Sequence, residues 1–220
     1  YSTQNIGSGQ YAILVNTVSG KTTSKSKVES ICSSELDKTT KNMRAVYDAF
    51  KCDHPEIFWL SGETKSYCSY SYSSSGSEYS YTEKIYFVVK NSSFDVRSSA
   101  YSGSNGKTKI YSDIKKRNSY VNSIVGGVKS TASDYDKIKH FNKSLTAINE
   151  YNTSVSSAPV SSWECLAALK GSTGKNGPVC EGYSKAFKVL CDKAGIPCVL
   201  VTGAASNDEG TQDHMWNNVK

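Results

Sequence analysis

Two residues have the side chains and the local settings that nucleophilic amide chemistry requires. Cys180 stands directly before an amphipathic segment, in the run Asn-Gly-Pro-Val-Cys-Glu-Gly-Tyr. His214 opens a strand-like run that extends to Val219. A thiol nucleophile and an imidazole base form the pair that cysteine-dependent acyl transfer uses. The sequence therefore predicts Cys180 as the nucleophile and His214 as the general base and acid.

The segment after Pro178 predicts the helix that carries the thiol. Its apolar residues recur at helical spacing and share one wide stripe, made of Tyr183, Ala186, Phe187, Leu190, Cys191 and Ala194. Gly195 and Pro197 predict the end of this helix. In the first turn, the amide groups and the helix dipole favour an anion, and so favour a thiolate and a developing oxyanion. We expect the glycines of residues 171–177 to admit a substrate backbone.

Two strands should follow this helix. The β-branched run 198–202 is typical of a central strand, residues 203–213 predict a polar loop, and His214 begins the second strand. If the strands are adjacent and antiparallel, His214 returns toward the start of the helix. From chemistry alone, however, a structural thiol and a hydrogen-bonded histidine explain the two residues equally well.

The surrounding residues resemble the transglutaminase-like superfamily, and more narrowly its secreted bacterial members. The resemblance is strongest over about residues 133–220 and rests on three motifs, namely Gly177-Pro178-Val179-Cys180-Glu181-Gly182-Tyr183-Ser184-Lys185-Ala186-Phe187, Ala194-Gly195-Ile196-Pro197 and His214-Met215-Trp216-Asn217. The run Asp53-His54-Pro55-Glu56-Ile57-Phe58-Trp59 is similar to a segment upstream of that domain in such proteins.

The resemblance implies an α+β, papain-like core in which a nucleophile helix packs on an antiparallel sheet. It assigns the nucleophile to Cys180 and the base to His214, and it implies a thioester intermediate on a protein or peptide substrate, without cofactor or metal. It also implies an orienting Asp on the next strand, which we expect beyond Lys220 in a longer polypeptide. Asp208 and Asp213 precede His214 and do not fit that place. For Trp163 we weigh a place in the oxyanion or substrate wall against packing on the helix, favour the packing, and assign it no role.

Composition limits the class of partner. The hydrophobic fraction of 37% and the charged fraction of 21% indicate a folded protein rather than a disordered tail. The net charge is +6, but the lysines are scattered, which favours a solvated basic surface over a nucleic-acid footprint. Attraction to an anionic cell wall or membrane surface is a further option. We expect no transmembrane segment. Because the chain does not begin with Met, we expect that a leader peptide has been removed.

The seven cysteines permit up to three disulfides with one thiol left free, or a set of unpaired buried thiols. No Cys-x-x-Cys pair is present and the three histidines are far apart, which argues against a zinc site.

Residues 1–130 are predicted to form an N-terminal α+β lobe and residues 131–220 the catalytic core. The lobe should contain a short strand, a helix, a buried strand, a hairpin and a second helix, at 11–15, 26–50, 57–60, 64–90 and about 110–127. In the core, Ser133 is expected to cap a helix with an apolar stripe, and His140 lies off that stripe as a solvated surface residue.

Together these features predict an extracellular or cell-surface bacterial enzyme that acts on amide bonds, with a protease or amidase slightly favoured over a crosslinking acyltransferase. An inactive domain of the same fold that binds or scaffolds at the cell surface is the alternative. A lobe at residues 1–130 that presents substrates to the core is a third option.

Overall fold

The computed structural model describes residues 3–7, 10–60, 66–90, 101, 104–207 and 210–220. These residues form two compact units. The first contains the described residues up to Phe50 and those from 66 to 90, and the second contains residues 51–60 and those from 101 onward. Helices and antiparallel sheets occur in both, so the predicted α+β class is confirmed.

The first unit is an antiparallel sheet with residues 25–50 of one long helix, α1 (Lys25–Asp53). Its four strands lie in the order β1-β2-β4-β3, with bounds β1 Thr3–Gly7, β2 Gln10–Thr22, β3 Ser66–Ser75 and β4 Glu78–Lys90. The predicted hairpin is confirmed as β3–β4, which turns at Gly76 with φ of 61°. β2 is longer than the strand predicted at 11–15, because β4 pairs with it along almost its whole length.

The core of the first unit joins α1 to β4. Val28 and Cys32 of the helix are buried against Tyr81 of the strand. Glu83, two residues along β4, is fully buried as well. This core therefore contains an acidic group among apolar side chains.

The second unit packs four helices around one core. They are α2 (Gly106–Gly126), α3 (Asp134–Ile148), α4 (Cys165–Lys170) and α5 (Cys180–Ala194). As predicted, Ser133 caps α3 by accepting a hydrogen bond from the backbone N–H of Asp136 at 3.1 Å. The bounds of the two units differ from the predicted division at residue 130, because α2 contributes Val121 to the same core as α5.

Two strands complete the second unit, β5 (Cys198–Asn207) and β6 (Gly210–Val219). They pair antiparallel, and α5 packs against both, which confirms the predicted helix-on-sheet arrangement. The prediction of a polar loop at 203–213 is wrong. The pairing of β5 with β6 continues through this segment, from Gly203 opposite His214 to Asn207 opposite Gly210. His214 consequently lies inside β6 and does not open it.

Two further expectations are wrong. Residues 57–60 form turns rather than a strand, with the N–H of Ile57 bonded to the carbonyl of His54 and that of Leu60 to Ile57. His140 is partly buried, and its Nε2 lies 2.9 Å from the carbonyl oxygen of Ile124, which joins α3 to the end of α2. Within the described ranges, no helix is both long enough and apolar enough to cross a membrane.

Candidate active site

Cys180 is the first residue of α5, and its side chain is only partly buried. The preceding Val179 is extended, with φ of −92° and ψ of −179°, and supplies no side-chain cap. The backbone N–H of Val179 bonds instead to the carbonyl of Ser162 at 3.1 Å. Because no side chain of the N-cap occupies the first turn, the positive end of the helix dipole can act on the Cys180 sulfur or on an oxyanion formed beside it.

A network of hydrogen bonds holds the loop that leads to Cys180. The N–H of Asn152 donates to the carbonyl of Pro178 at 3.2 Å, and its side-chain Nδ2 donates to the carbonyl of Lys175 at 2.9 Å. The N–H of Glu150 donates to the carbonyl of Ser172 at 3.1 Å. The residues just after α3 thus fix the loop at both ends, and they fix the start of α5 with it.

Gly177 is required by this network. A Cβ at Gly177 would clash with the carbonyl oxygen of Glu150, far inside van der Waals contact. The expectation that the loop glycines admit a substrate backbone stays a prediction, but it does not account for Gly177. At Gly177 it is the chain itself, at residue 150, that approaches closely.

Tyr151 lies within the same network, beside Cys180. Burial, together with electrostatic and hydrogen-bond contact with Cys180, raises the pKa of the Tyr151 hydroxyl. Its ring stacks on Tyr183, one turn into α5, with centroids 6.1 Å apart and planes within 9°. Sequence reasoning missed Tyr151, because the contact depends on backbone hydrogen bonds between distant segments, which leave no periodic pattern.

His214 is held by the attachment of β6 to α5. The hydroxyl of Ser184 donates to the carbonyl of Met215 at 3.0 Å, and Nδ2 of Asn217 donates to the carbonyl of Ser184 at 2.9 Å. Both bonds join Ser184, in the second turn of the helix, to the strand that carries the imidazole. They set the position of β6 relative to the start of α5.

Trp216 stacks on His214, with ring centroids 6.3 Å apart and planes at 24°. The ring of Trp216 also covers Gly203, the residue that faces His214 across the ladder, so that a Cβ there would lie 2.8 Å from the indole. Gly203 and Trp216 thereby limit where the imidazole can lie. Their part in the site was not predicted from the sequence.

Cys180 and His214 line one open cleft with a volume of about 400 Å³. The structure thus brings the two predicted residues to one place, while their catalytic roles stay predictions. The cleft is completed by Trp163, Glu181, Thr202, Gly203, Asp213 and Met215. Trp163 is part of the wall, which is the alternative to the packing role favoured for it from the sequence. Asp208 lies outside the described residues.

Charge at the first turn of α5 is balanced by a buried lysine. Nζ of Lys185 lies 2.7 Å from a carboxylate oxygen of Glu181 and 3.4 Å from one of Glu164. Lys185 is 7% exposed, so the ion pairs are shielded from water. They hold the Glu181 carboxylate on the edge of the cleft. Across the described parts of the chain, no group of three or more His, Cys, Asp or Glu side chains is arranged to hold a metal ion.

Comparison with known proteins gives a family match within the second unit. Residues 118–220 match the family model of the transglutaminase-like superfamily. A solved structure of a candidate cysteine protease from Cytophaga hutchinsonii is similar over 71% of this chain and 61% of that one, at 11% identity and a TM-score of 0.34. The chain thus spans less than two thirds of that protein. No curated protein matches the chain.

Proposed function

Because residues 118–220 belong to the transglutaminase-like superfamily, we propose that this chain is a cysteine-dependent enzyme acting on amide bonds of proteins or peptides. The observation that carries the proposal is the shared cleft of Cys180, at the start of α5, and His214, on β6. Acyl transfer through a thioester requires a thiol nucleophile with a general base nearby, and the cleft holds one of each.

In the proposed reaction His214 takes the proton of the Cys180 thiol, and the sulfur attacks the amide carbonyl. The first-turn amides of α5 stabilise the tetrahedral oxyanion. His214 returns the proton to the leaving amine as the C–N bond breaks, which leaves a thioester on Cys180. Water, or a second amine, then attacks the thioester and restores the thiol.

Water is the acceptor that we favour, which makes the enzyme a protease or amidase rather than a crosslinking acyltransferase. The cleft is open to solvent, and water enters an open site freely.

We also propose an extracellular or cell-surface location in a bacterium, supported by the likeness of the Cys180 and His214 motifs to secreted bacterial members.

Alkylation by iodoacetamide tests the pair directly. We expect Cys180 to be labelled first of the seven cysteines and faster than free cysteine, because a paired thiolate is the reactive form. His214→Ala should slow this labelling, and should reduce hydrolysis of a peptide amide by about 10²-fold or more. His54→Ala is the matched control, since His54 is exposed and pairs with Glu56.

Cys180 in a disulfide, or labelled no faster than free cysteine, would leave the enzyme proposal without support. In that case a binding or scaffold domain of the same fold is the remaining function. Ammonia or amine release without a new N-terminus, measured by mass spectrometry of the substrate, would separate an amidase from a protease.

A further inference from the structure

Two buried thiols lie next to each other at the far end of the nucleophile helix. Cys191 is in the last turn of α5 and Cys198 is the first residue of β5, and both belong to the core of the second unit. Their side chains are hydrogen-bonded to each other. Cys180 is eleven residues away from Cys191 along the helix, about 16 Å at the usual rise, so this pair is separate from the cleft.

The turn between the two cysteines explains why they meet. Gly195 adopts a left-handed conformation with φ of 73°, which ends α5, and the N–H of Ile196 bonds back to the carbonyl of Cys191 at 2.9 Å. The chain reverses there and places β5 against the helix that it has just left. Ile196 is buried in the same core, which fixes the turn from inside.

We infer that Cys191 and Cys198 are a disulfide-forming pair, oxidised when the chain folds in a compartment that supplies a disulfide oxidant. In this structure both are thiols. Oxidation would join the end of the nucleophile helix to the first residue of the strand pair that carries His214. The inference does not depend on the proposed enzymatic activity.

The disulfide between Cys191 and Cys198 forms by thiol–disulfide exchange. The Cys198 thiolate attacks one sulfur of a disulfide oxidant such as oxidised glutathione, and one thiolate leaves. Cys191 then loses its proton and attacks the Cys198 sulfur of the mixed disulfide, which releases the second thiolate. Two thiols of the chain are oxidised and one small disulfide is reduced to two thiols.

The surroundings of Cys198 suit the attacking role. Nδ2 of Asn217 lies 3.4 Å from its sulfur, and the nearby Lys188 donates from Nζ to its carbonyl oxygen at 3.2 Å. The hydrogen bond from Cys191, then that from Asn217 and the charge of Lys188, lower the pKa of Cys198 to about 7 against the effect of burial. Cys198 is 6% exposed and Cys191 fully buried, so the exchange takes place late in folding, when these neighbours are in place but the core has not yet closed over the two sulfurs.

The test is disulfide mapping of the full chain secreted into an oxidising compartment, alkylated in denaturant with and without prior reduction. We expect Cys191 and Cys198 to resist alkylation before reduction, in one linked peptide about 2 Da lighter than its reduced form. Full alkylation of both residues in the unreduced sample, or pairing of either with another cysteine, overturns the inference.

Thermal unfolding gives a second readout. The oxidised chain should melt at a higher temperature than the reduced chain, because the bond restricts the unfolded state. Cys191→Ala/Cys198→Ala should remove this difference. Cys165→Ala should keep it, since Cys165 is equally buried but its charged neighbours are Glu164, Lys185, Arg117 and Glu56 rather than a thiol. Equal melting temperatures for oxidised and reduced wild type contradict the inference.

Discussion

Sequence patterns did not predict the contact between Tyr151 and Cys180, the proposed nucleophile. Its hydroxyl lies beside Cys180, while its ring stacks on Tyr183 and its backbone neighbours are bonded to the loop before α5. The hydroxyl is therefore held in place from two sides. A fixed donor next to a sulfur stabilises the sulfur when it is charged more than when it is neutral.

Tyr151→Phe removes this hydroxyl and keeps the ring. We expect alkylation of Cys180 to slow about fivefold, which corresponds to the loss of one hydrogen bond of about 1 kcal/mol. Tyr183→Phe is the matched control, because it deletes a hydroxyl from the other ring of the same stack. Unchanged or faster alkylation of the Tyr151 variant, measured by mass spectrometry over time, would show that the hydroxyl does not assist the thiolate.

At the scale of elements, the site depends on how α5 and β6 are joined. Asn217 donates from Nδ2 to the carbonyl of Ser184 and to the sulfur of Cys198, so one amide links the helix and both strands. Asn217→Ala leaves a carbonyl without this donor, and we expect a loss of about 1–3 kcal/mol in the free energy of unfolding. The same change should slow the His214-dependent labelling of Cys180.

Asn218→Ala is the control for that prediction, because the side chain of Asn218 is exposed on the same strand. Urea denaturation of the two variants measures the difference. Equal stability would mean that the amide of Asn217 does not hold the strand.

The elements that the sequence predicts well are those with a strong local pattern. α5 follows from its apolar stripe and the Gly195 stop, and the hairpin β3–β4 from alternating tyrosines around a Ser-Gly bend. The sequence does not predict the paired ends of β5 and β6 in this way. Residues 203–213 are rich in small and polar side chains, and their pairing is made by backbone groups. Residues 57–60 are apolar and fully or partly buried, and an apolar run alone does not distinguish a strand from a turn.

The residues of the candidate site also differ in whether the sequence predicts them. Cys180 and His214 stand in recognisable motifs, and both lie in the cleft. Tyr151, Gly203 and the wall position of Trp163 depend on contacts between segments distant in sequence. Single-sequence patterns contain no information on such contacts.

At the scale of the whole molecule, each unit has its own core, and the first contains a buried acid. Glu83 is fully buried, faces the thiols of Cys32 and Cys68, and has a pKa raised first of all by burial. Such a carboxyl group has a higher pKa in the folded state than in the unfolded state. It therefore lowers the free energy of unfolding as the pH rises from the unfolded-state pKa through the folded-state pKa. Below the ordinary carboxyl pKa, both states are protonated and there is no cost.

Glu83→Gln should therefore raise the melting temperature of the first unit at pH 7 and change it little near pH 4. Glu78→Gln, at the exposed start of β4 where it pairs with Lys21 at 2.8 Å, should change it little at either pH. Thermal unfolding at the two pH values measures both. A lower melting temperature for Glu83→Gln at pH 7 would mean that the carboxylate is stabilised in the fold.

The indole of Trp216, stacked on the His214 ring, gives the protein an optical probe of its own. A cationic imidazole quenches the emission of an adjoining indole, whereas a neutral one quenches it little. A pH titration of this emission can therefore be compared between the wild type and His214→Ala. The difference between the two curves reports the charge of the His214 ring, without any added dye. Because the signal needs no turnover, it can be recorded on a Cys180→Ser variant with an intact amide substrate present.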